Sequence, residues 1–377
     1  MTETSRKKRI LLFGTGGGSG VTRFLADSAV EHKRLGNFEP MVAYRRKRRP
    51  IGRQFIDTLE QSQIPWREVR AAPKVVTIAQ LRRILREFRP DVFLVHGHSD
   101  HIWGRMAAIR ENVPVVVMVE ANLERYRFLE RWRSVRLAAR TDAIVAVSDG
   151  VGRRLIELGH PADKLHVIHN GAPLERFRAA AAVPLDEREP AVLMAARFAR
   201  QKDHATLIRA AALLRDRGRP IRVRLAGTGS ARHEGRARRL VRRLGLEEWV
   251  EFLGPRSDIP DLLGRHRVFV ISTHYEGLCI AGVEAMAAGC ATIGTRTVGV
   301  TDLFGGEPRG WLVEPRDPVG LADAIVEALG PEGAVRAAAG HRYAMEHFSM
   351  TRAITAYEQL FVSLLAGRPK EHVRERG

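Results

Sequence analysis

The chain contains few cysteines and no long hydrophobic run. Only Cys279 and Cys290 occur in 377 residues, which argues against a disulfide-stabilised scaffold and fits a reducing compartment. The longest apolar run, 113–119, is much shorter than a membrane-spanning helix. The first residues are charged and lead directly into a predicted strand, unlike a secretory signal. We therefore expect a cytoplasmic protein.

Acidic residues are scarce relative to basic ones, with 43 against 62 and a formal net charge of +19. This surplus indicates an anionic partner such as a nucleotide, a lipid headgroup or a nucleic acid. Only eight of the basic residues are lysine, and the arginines are spread over most predicted helices, so a purely compositional origin is the alternative. The one dense run, 44–49, lacks interleaved aromatic residues and any recognised nucleic-acid motif. We expect no specific nucleic-acid binding, and peripheral contact with the inner face of an anionic membrane stays open.

The segment 124–137 predicts a basic helix that also carries aromatic residues, among them Phe128 and Trp132. Two interpretations of this helix are open. It packs on its own sheet, which we favour, or it lies in a membrane interface.

Predicted strands and helices alternate along the chain, which favours doubly wound α/β architecture. A length of 377 residues is too long for one ordinary core, so two domains are expected. The pattern lapses into alanine, proline and charge at 179–190, which predicts a linker. We place domains at 1–183 and 184–349, followed by a C-terminal helix and tail at 350–377. The predicted strands are 9–13, 41–44, 91–95, 113–119, 143–147, 164–168, 191–195, 221–226, 250–252, 268–272 and 291–293.

The segment 276–289 is the most informative part of the chain. It follows an apolar run that predicts a buried parallel strand, and it continues as a small-residue helix that Gly289 ends. Glu276 on the loop and Glu284 in the helix therefore flank a helix N-terminus, whose free N–H groups attract phosphate. Carboxylates accept hydrogen bonds from sugar hydroxyls, so the arrangement suits a nucleotide-sugar. A glycosidase-like acid pair is the alternative, which the helix start between the carboxylates disfavours.

The glycine-rich loop 14–20 follows the first predicted strand. Glycines there let a backbone approach a phosphate closely, and a tight strand-to-helix turn is an equal alternative. A dinucleotide fingerprint needs an acidic residue at the end of the second strand, but 41–44 is followed by arginines, which disfavours NAD. A P-loop is excluded because no Gly-Lys-Ser/Thr follows.

Two cations and two histidines also follow predicted strands. Arg197 leaves the first strand of the second half and Lys202 precedes a helix, where they suit a diphosphate that leaves with developing charge. Lys202 is the only lysine between positions 164 and 370, which indicates a specific need for an ammonium group. His96 and His98 follow the strand 91–95, at the edge where open α/β sheets bind ligands. A metal site is the rival interpretation there, but no further cluster of metal-binding residues supports it.

These parts, in this order, resemble glycosyltransferase family 4, a group of retaining, nucleotide-sugar-dependent enzymes with the GT-B fold. The segment 276–289 is similar to the family's Glu-Gly-(Phe/Leu)-Gly…Glu-Ala-Met-Ala-(Cys/Ala)-Gly motif, and 167–177 is similar to its Val-Ile-Pro-Asn-Gly lead-in to the hinge. The likeness covers nearly the whole chain and is strongest at 191–329. It implies two Rossmann-like domains facing across a cleft, the N-terminal one on the acceptor side and the C-terminal one holding the donor. It also implies that the C-terminal helix crosses back to the N-terminal domain.

The resemblance implies roles for individual residues. Glu284 would bind the ribose hydroxyls, Glu276 the donor sugar, and Arg197 with Lys202 the diphosphate. His96 falls by spacing on the family's active-site histidine, with His98 as the runner-up. Glu120 stands where many members have a histidine, which makes it an acceptor-side candidate, and Cys279 replaces a usual glycine. The remaining donor-binding candidates are Gly16, Gly17, Gly18, Asn170, Gly277, Leu278 and Ile280, together with Cys279.

We therefore expect a retaining glycosyltransferase that moves a sugar from a UDP- or GDP-sugar to a hydroxyl acceptor, such as a polysaccharide or lipid-linked glycan. No cofactor or metal is expected, since the sequence contains no Asp-x-Asp motif. One alternative is an epimerase of nucleotide-sugars on the same scaffold, which would convert its donor without an acceptor. The other is a non-enzymatic basic protein that binds membranes or polyanions with a steep salt dependence and is not stabilised by nucleotides.

Overall fold

The computed structural model describes residues 6–16, 20–46, 53–97, 100–123, 126–306 and 308–367. The chain divides into two compact units. Unit 1 comprises residues 1–147, 151–171 and 350–377, and unit 2 comprises residues 148–150 and 172–349. Each unit contains one parallel sheet with helices packed on it, so the predicted α/β class with two Rossmann-like domains is confirmed.

Unit 1 is built on seven parallel strands. They are β1 (Lys8–Thr15), β2 (Phe38–Arg46), β3 (Trp66–Arg70), β4 (Val92–His96), β5 (Val115–Glu120), β6 (Ala143–Ala146) and β7 (Leu165–Val167). Their order across the sheet is β3-β2-β1-β4-β5-β6-β7. The central strands β1, β4 and β5 are apolar and buried along most of their length, as expected of strands covered on both faces.

The helices of unit 1 connect these strands and include the last helix of the described chain. They are α1 (Gly20–Leu35), α2 (Arg53–Gln61), α3 (Lys74–Phe88), α4 (Asp100–Arg110), α5 (Phe128–Ala138), α6 (Asp149–Glu157) and α15 (Met350–Ala366). Helix α15 packs on α1, where Glu358 Oε1 lies 2.7 Å from His32 Nδ1 and Phe361 is buried. The C-terminal helix thus belongs to unit 1, as the resemblance implied. Within the described ranges, no helix is both long enough and apolar enough to span a bilayer.

Unit 2 repeats the same plan with six parallel strands. They are β8 (Glu189–Ala195), β9 (Val223–Ala226), β10 (Val250–Gly254), β11 (His266–Ile271), β12 (Ala291–Thr295) and β13 (Trp311–Val313), in the order β10-β9-β8-β11-β12-β13. The helices are α7 (Arg178–Ala181), α8 (His204–Asp216), α9 (Ala231–Arg243), α10 (Ile259–Arg265), α11 (Ile280–Ala287), α12 (Thr301–Phe304), α13 (Pro318–Leu329) and α14 (Pro331–His347).

The segment predicted as a linker is folded into unit 2. The units divide at 171/172, whereas the sequence placed the boundary at 183/184. Leu174, Phe177 and Ala180 are buried, and α7 packs on α10 so closely that a Cβ at Gly264 would lie 3.1 Å from Ala180 Cα. The alanines of this stretch therefore serve helix packing and do not form a flexible connection.

Each sheet has one switch point, where the chain stops adding strands on one side and continues on the other. In unit 1 this point lies between β1 and β4, and in unit 2 it lies between β8 and β11. Ligands of open parallel sheets bind at the carboxyl ends of the strands at such points, because the two loops diverge and leave a crevice.

Candidate functional site

The unit 2 switch point brings together two loops that carry the predicted donor-binding residues. The loop after β8 contains Arg197 and Lys202, and the loop after β11 contains Glu276. A short antiparallel bridge joins the loops at Lys202 and Thr273. On either side of it Asp203 N donates to Ser272 O at 2.9 Å, and His274 N donates to Gln201 O at 2.8 Å. Backbone pairing therefore fixes Lys202 next to the β11 loop.

Glu276 is buried, and both of its carboxylate oxygens contact neighbouring side chains. Lys202 Nζ forms a salt bridge with Oε1, and Thr273 Oγ1 donates to the same oxygen at 2.9 Å. Gln201 Nε2 donates to Oε2 at 3.1 Å. Burial acts to lower the pKa of Lys202, but Cys279 and Glu276 raise it by more, so the ammonium form is favoured. Gln201 and Thr273 were not predicted as site residues.

Glu284 is the second buried carboxylate, and it lies in the second turn of α11. Arg176 Nη2 donates to Glu284 Oε1 at 2.6 Å. Arg176 was not predicted as a site residue, although it lies within the 167–177 segment that carries part of the family resemblance. Each carboxylate therefore pairs with one cation. The Glu276 pair lies on the loop before α11, and the Glu284 pair lies in the helix itself.

The start of α11 offers backbone donors between the two carboxylates. No acceptor among the described residues takes up the N–H groups of Gly277, Leu278 and Cys279, and Ile280 opens the helix. Gly299 approaches this loop from the segment after β12, with φ +77°. A Cβ there would lie 2.2 Å from Gly277 O, so the loop depends on glycine at position 299.

The loop after β8 is held by two further glycines that the sequence analysis missed. A Cβ at Gly227 would lie 2.2 Å from Ala196 O, and one at Gly229 would lie 2.0 Å from Phe198 O. Phe198 N also donates to Thr228 O at 3.0 Å. This contact holds the backbone on both sides of Arg197 while the Arg197 side chain stays exposed. The available signal was the Gly-Thr-Gly spacing directly after a predicted strand.

The unit 1 switch point contains a buried ion pair beside the glycine-rich loop. Arg45 pairs with Asp100, and Thr15 Oγ1 donates to the same carboxylate. Gly16 N donates to Arg45 O at 3.0 Å. The candidates Gly17, Gly18 and His98 lie outside the described residues.

His96 lies at the end of β4 and is fully buried. Its ring packs 5.5 Å from the Phe24 ring, and neither ring nitrogen has a hydrogen-bond partner among the described residues. Burial lowers the pKa of His96 to about 3, so the imidazole is neutral at physiological pH. Asn170 is also buried, and its Oδ1 has no hydrogen-bond partner among the described residues.

Glu120, at the end of β5, is closed off by its own neighbours. Tyr126 OH donates to Oε2 at 2.5 Å, and Ala121 N donates to Oε1 at 3.1 Å. Tyr126 OH in turn lies 3.0 Å from His101 Nε2, and Arg105 Nη2 lies 2.9 Å from His101 Nδ1. Glu120 therefore anchors the loop that leads to α5 through a buried polar network.

Helix α5 differs from the interpretation we favoured for it. Only Ser134 and Ala138 of the helix are buried, whereas Phe128, Leu129 and Trp132 are 81, 60 and 50% exposed. The helix therefore presents its large apolar side chains to solvent and not to the sheet of unit 1. No group of three or more His, Cys, Asp or Glu side chains in the described ranges has a geometry that fits a metal ion.

Two Rossmann-like units, each with candidate residues at its switch point, define the GT-B class of glycosyltransferase folds. The family model for glycosyl transferases group 1 matches residues 175–340, and the model for glycosyltransferase family 4 matches residues 18–176. The chain therefore belongs to glycosyltransferase family 4.

Several relatives are similar over part of their length. The putative colanic acid biosynthesis glycosyltransferase WcaL of Escherichia coli K12 is 27% identical over 266 residues, covering 64% of this chain and 62% of the relative. The putative glycosyltransferase EpsF of Bacillus subtilis is 30% identical over 236 residues, covering 57% of this chain and 60% of the relative. The chain thus spans about three fifths of the length of these curated relatives.

Solved structures show the fold over nearly the whole chain. HepE of Anabaena, in complex with UDP and glucose, has a TM-score of 0.81 at 20% identity and covers 94% of this chain and 100% of its own. A glycosyltransferase from Rickettsia africae has a TM-score of 0.83 at 20% identity, with 96 and 100% covered.

Proposed function

We propose that the protein is a retaining glycosyltransferase that moves a sugar from a UDP- or GDP-sugar to a hydroxyl acceptor. One observation carries the proposal: two buried carboxylates, Glu276 with Lys202 and Glu284 with Arg176, flank the start of α11. A nucleotide-sugar has hydroxyl-rich rings at both ends and a diphosphate in the middle, which matches this order of groups. Two similar proteins support the proposal by analogy. WcaL is named a putative glycosyltransferase, and HepE was solved in complex with UDP and glucose.

In this proposal the cation of each pair orients its carboxylate before the ligand arrives. Glu284 accepts hydrogen bonds from the ribose hydroxyls, and Glu276 accepts them from the donor sugar. The N–H groups of residues 277–279 bind the diphosphate. Arg197 and Lys202 stabilise the negative charge that grows on the diphosphate as the sugar–phosphate bond breaks.

We propose further that the reaction is metal-independent and needs no side-chain nucleophile. The two cations, Arg197 and Lys202, supply the positive charge, and the leaving phosphate assists the acceptor hydroxyl on the face from which it departs. His96 is placed as the neutral imidazole of the active site. The acceptor is a polysaccharide or lipid-linked glycan, an assignment supported by the biosynthetic names of the relatives.

The test is the release of UDP or GDP from a panel of nucleotide-sugars, with and without hydroxyl acceptors. We expect Lys202→Ala and Glu284→Ala to lower the turnover by about 100-fold or more while the fold survives, because each removes a charged contact to the donor. Glu346→Gln, on the exposed face of α14, is the control and should leave turnover unchanged. Near-normal rates in both site variants would refute the proposal. Donor conversion without acceptor, to a product of equal mass, would identify an epimerase instead.

We also propose that α5 makes peripheral contact with an anionic membrane. Phe128, Leu129 and Trp132 are solvent-exposed on a helix that also carries Arg131, Arg133 and Arg136. The Arg136 guanidinium lies 5.0 Å from the centre of the Trp132 ring. Apolar rings beside cations are the composition of helices that lie in a bilayer interface, where the rings enter the acyl boundary and the cations meet lipid phosphates. Such contact would place the enzyme beside a lipid-linked acceptor.

Vesicle sedimentation tests this contact. We expect binding to phosphatidylglycerol vesicles that falls with salt, and little binding to phosphatidylcholine vesicles. Phe128→Gln/Trp132→Gln should weaken vesicle binding by about tenfold or more, since each ring loses burial worth about 1.5–3 kcal/mol at most. Val335→Gln on α14, where the valine is 63% exposed, removes a similar exposed apolar group from unit 2 and should change nothing. Equal vesicle binding by the double variant and the wild type would show that α5 does not contact the membrane.

A further inference from the structure

A groove of about 480 Å³ lies between α8 and α9 of unit 2, and five arginines are among the residues that line it. Arg200 and Arg209 line the α8 side, and Arg236, Arg239 and Arg243 line the α9 side. The groove reaches Arg243, the last residue of α9, about 20 Å from the helix start at ~1.5 Å per residue. It therefore extends well away from the strand ends at which Glu276 and Glu284 lie.

None of these five guanidinium groups forms a salt bridge with a carboxylate in the described part of the chain. Their only acidic neighbour in the lining is Asp203, whose oxygens are taken up by Thr206 N at 3.2 Å and by Thr206 Oγ1 at 2.6 Å. Asp203 thus caps α8 and is poorly placed to neutralise the groove.

Several other arginines of the same unit do have acidic partners. The paired residues are Arg215 with Asp216, Arg217 with Asp323, Arg224 with Glu189, Arg238 with Glu234, and Arg256 with Asp258. Unpaired arginines also occur elsewhere among the described residues of unit 2, so the groove is distinguished by bringing five of them onto one concave surface.

The spacing of the unpaired arginines is unfavourable without a counter-charge. Arg236, Arg239 and Arg243 are three and four residues apart on α9, so their side chains share one face of the helix. Like charges at this spacing destabilise a helix, and Arg209 adds a further cation from across the groove. A concave wall concentrates the field of such charges, which raises the local concentration of anions.

We infer that this groove is a binding site for a compact, soluble anion with two or more phosphate groups, separate from the proposed donor site. Guanidinium groups bind phosphate oxygens with paired N–H donors, and several of them converging on one concavity match several phosphates. His233 and His274 also line the groove and add ring nitrogens that can donate. Lys202 lies in the lining too and is the one residue the groove shares with the donor site.

The experiment is a calorimetric titration of the full chain with inorganic tripolyphosphate at fixed salt. The groove variant is Arg239→Gln/Arg243→Gln. The control is Arg232→Gln/Arg242→Gln, which removes the same charge from the same helix at positions that do not line the groove. We expect the groove variant to bind about tenfold more weakly or worse, because two charge-assisted contacts are lost, and the control to bind as the wild type does.

Arg197→Gln separates the groove from the donor site. It should leave intact the tripolyphosphate binding that Arg239→Gln/Arg243→Gln weakens, and it should weaken only binding at the donor site. Equal weakening by the groove and control variants would mean unspecific attraction by net charge and would overturn the inference. Loss of binding in Arg197→Gln with none in Arg239→Gln/Arg243→Gln would overturn it as well, because the anion would then occupy the donor site. The single variant Arg239→Gln repeats the test if the melting temperature shows that the double variant is unfolded.

Discussion

Glu276 and Glu284 each touch a basic side chain and are both largely removed from water. A surface glutamate gains little from such a pair, but a buried one would be costly without it. The cations Lys202 and Arg176 therefore offset the cost of burying two carboxylates at places where a ligand hydroxyl can replace solvent. At the residue scale, these salt bridges favour ligand binding by Glu276 and Glu284 over a role as proton donors.

Gly299 gives a residue-scale prediction. Gly299→Ala puts a Cβ 2.2 Å from Gly277 O and 2.7 Å from Glu276 O, so the loop carrying the donor-binding groups must move. We expect the KM for the donor to rise about tenfold and the free energy of unfolding to fall by more than the ~1–2 kcal/mol that positive φ alone costs. Gly306→Ala is the matched control, because Gly306 has φ +78° and no atom within 4 Å of the added Cβ. Equal effects of the two substitutions on KM and stability would show that the 299–277 contact does not matter.

Several site residues could be predicted from the sequence, but their side-chain contacts could not. Glu276, Glu284 and Lys202 have local signals, namely a strand, a small-residue helix and an isolated lysine. Arg176 lies in the 167–177 segment, but nothing in that segment singles it out among the 62 basic residues of the chain until the fold brings it to Glu284. Gln201 and Thr273 were also missed, because only the fold brings their side chains to Glu276.

At the scale of elements, fully buried strands were easier to predict than short edge strands. The runs that became β1, β4, β5 and β11 are continuous and apolar, which is typical of central parallel strands. β3 was missed because its sequence, Trp-Arg-Glu-Val-Arg, buries only Val69 at the sheet edge. The predicted linker was wrong because a run of alanines fits both a flexible connection and a closely packed helix, and only α10 decides between them.

Helix α5 was the element for which the sequence left two interpretations open. Its basic and aromatic composition is visible in the sequence, but the direction of Phe128 and Trp132 depends on which face meets the sheet. In the structure, Ser134 and Ala138 are buried on the face of α5 that packs on α4, and the rings stay exposed. The vesicle experiment therefore tests the face of α5 that carries the exposed rings, since the opposite face packs on α4.

At the scale of the whole molecule, the two units share one plan and divide the candidate residues between them. Each has a switch point in its sheet, and the residues at the carboxyl ends of β8 and β11 form the proposed donor site within unit 2. The alternation of strands and helices made this plan predictable from the sequence. The exact boundary was not predictable, because residues 172–183 are joined to unit 2 by tertiary contacts, such as Arg176 with Glu284, that only the fold shows.

The most direct test of the central claim is a calorimetric titration of the protein with UDP and with GDP. We expect one of the two to bind, and Glu284→Gln to weaken that binding about tenfold or more, because hydrogen bonds to a charged group are worth about 1.5–3 kcal/mol each. Glu346→Gln should bind as the wild type does. If neither nucleotide binds, or if Glu284→Gln binds as tightly as the wild type, unit 2 does not hold a nucleotide-sugar in the way proposed.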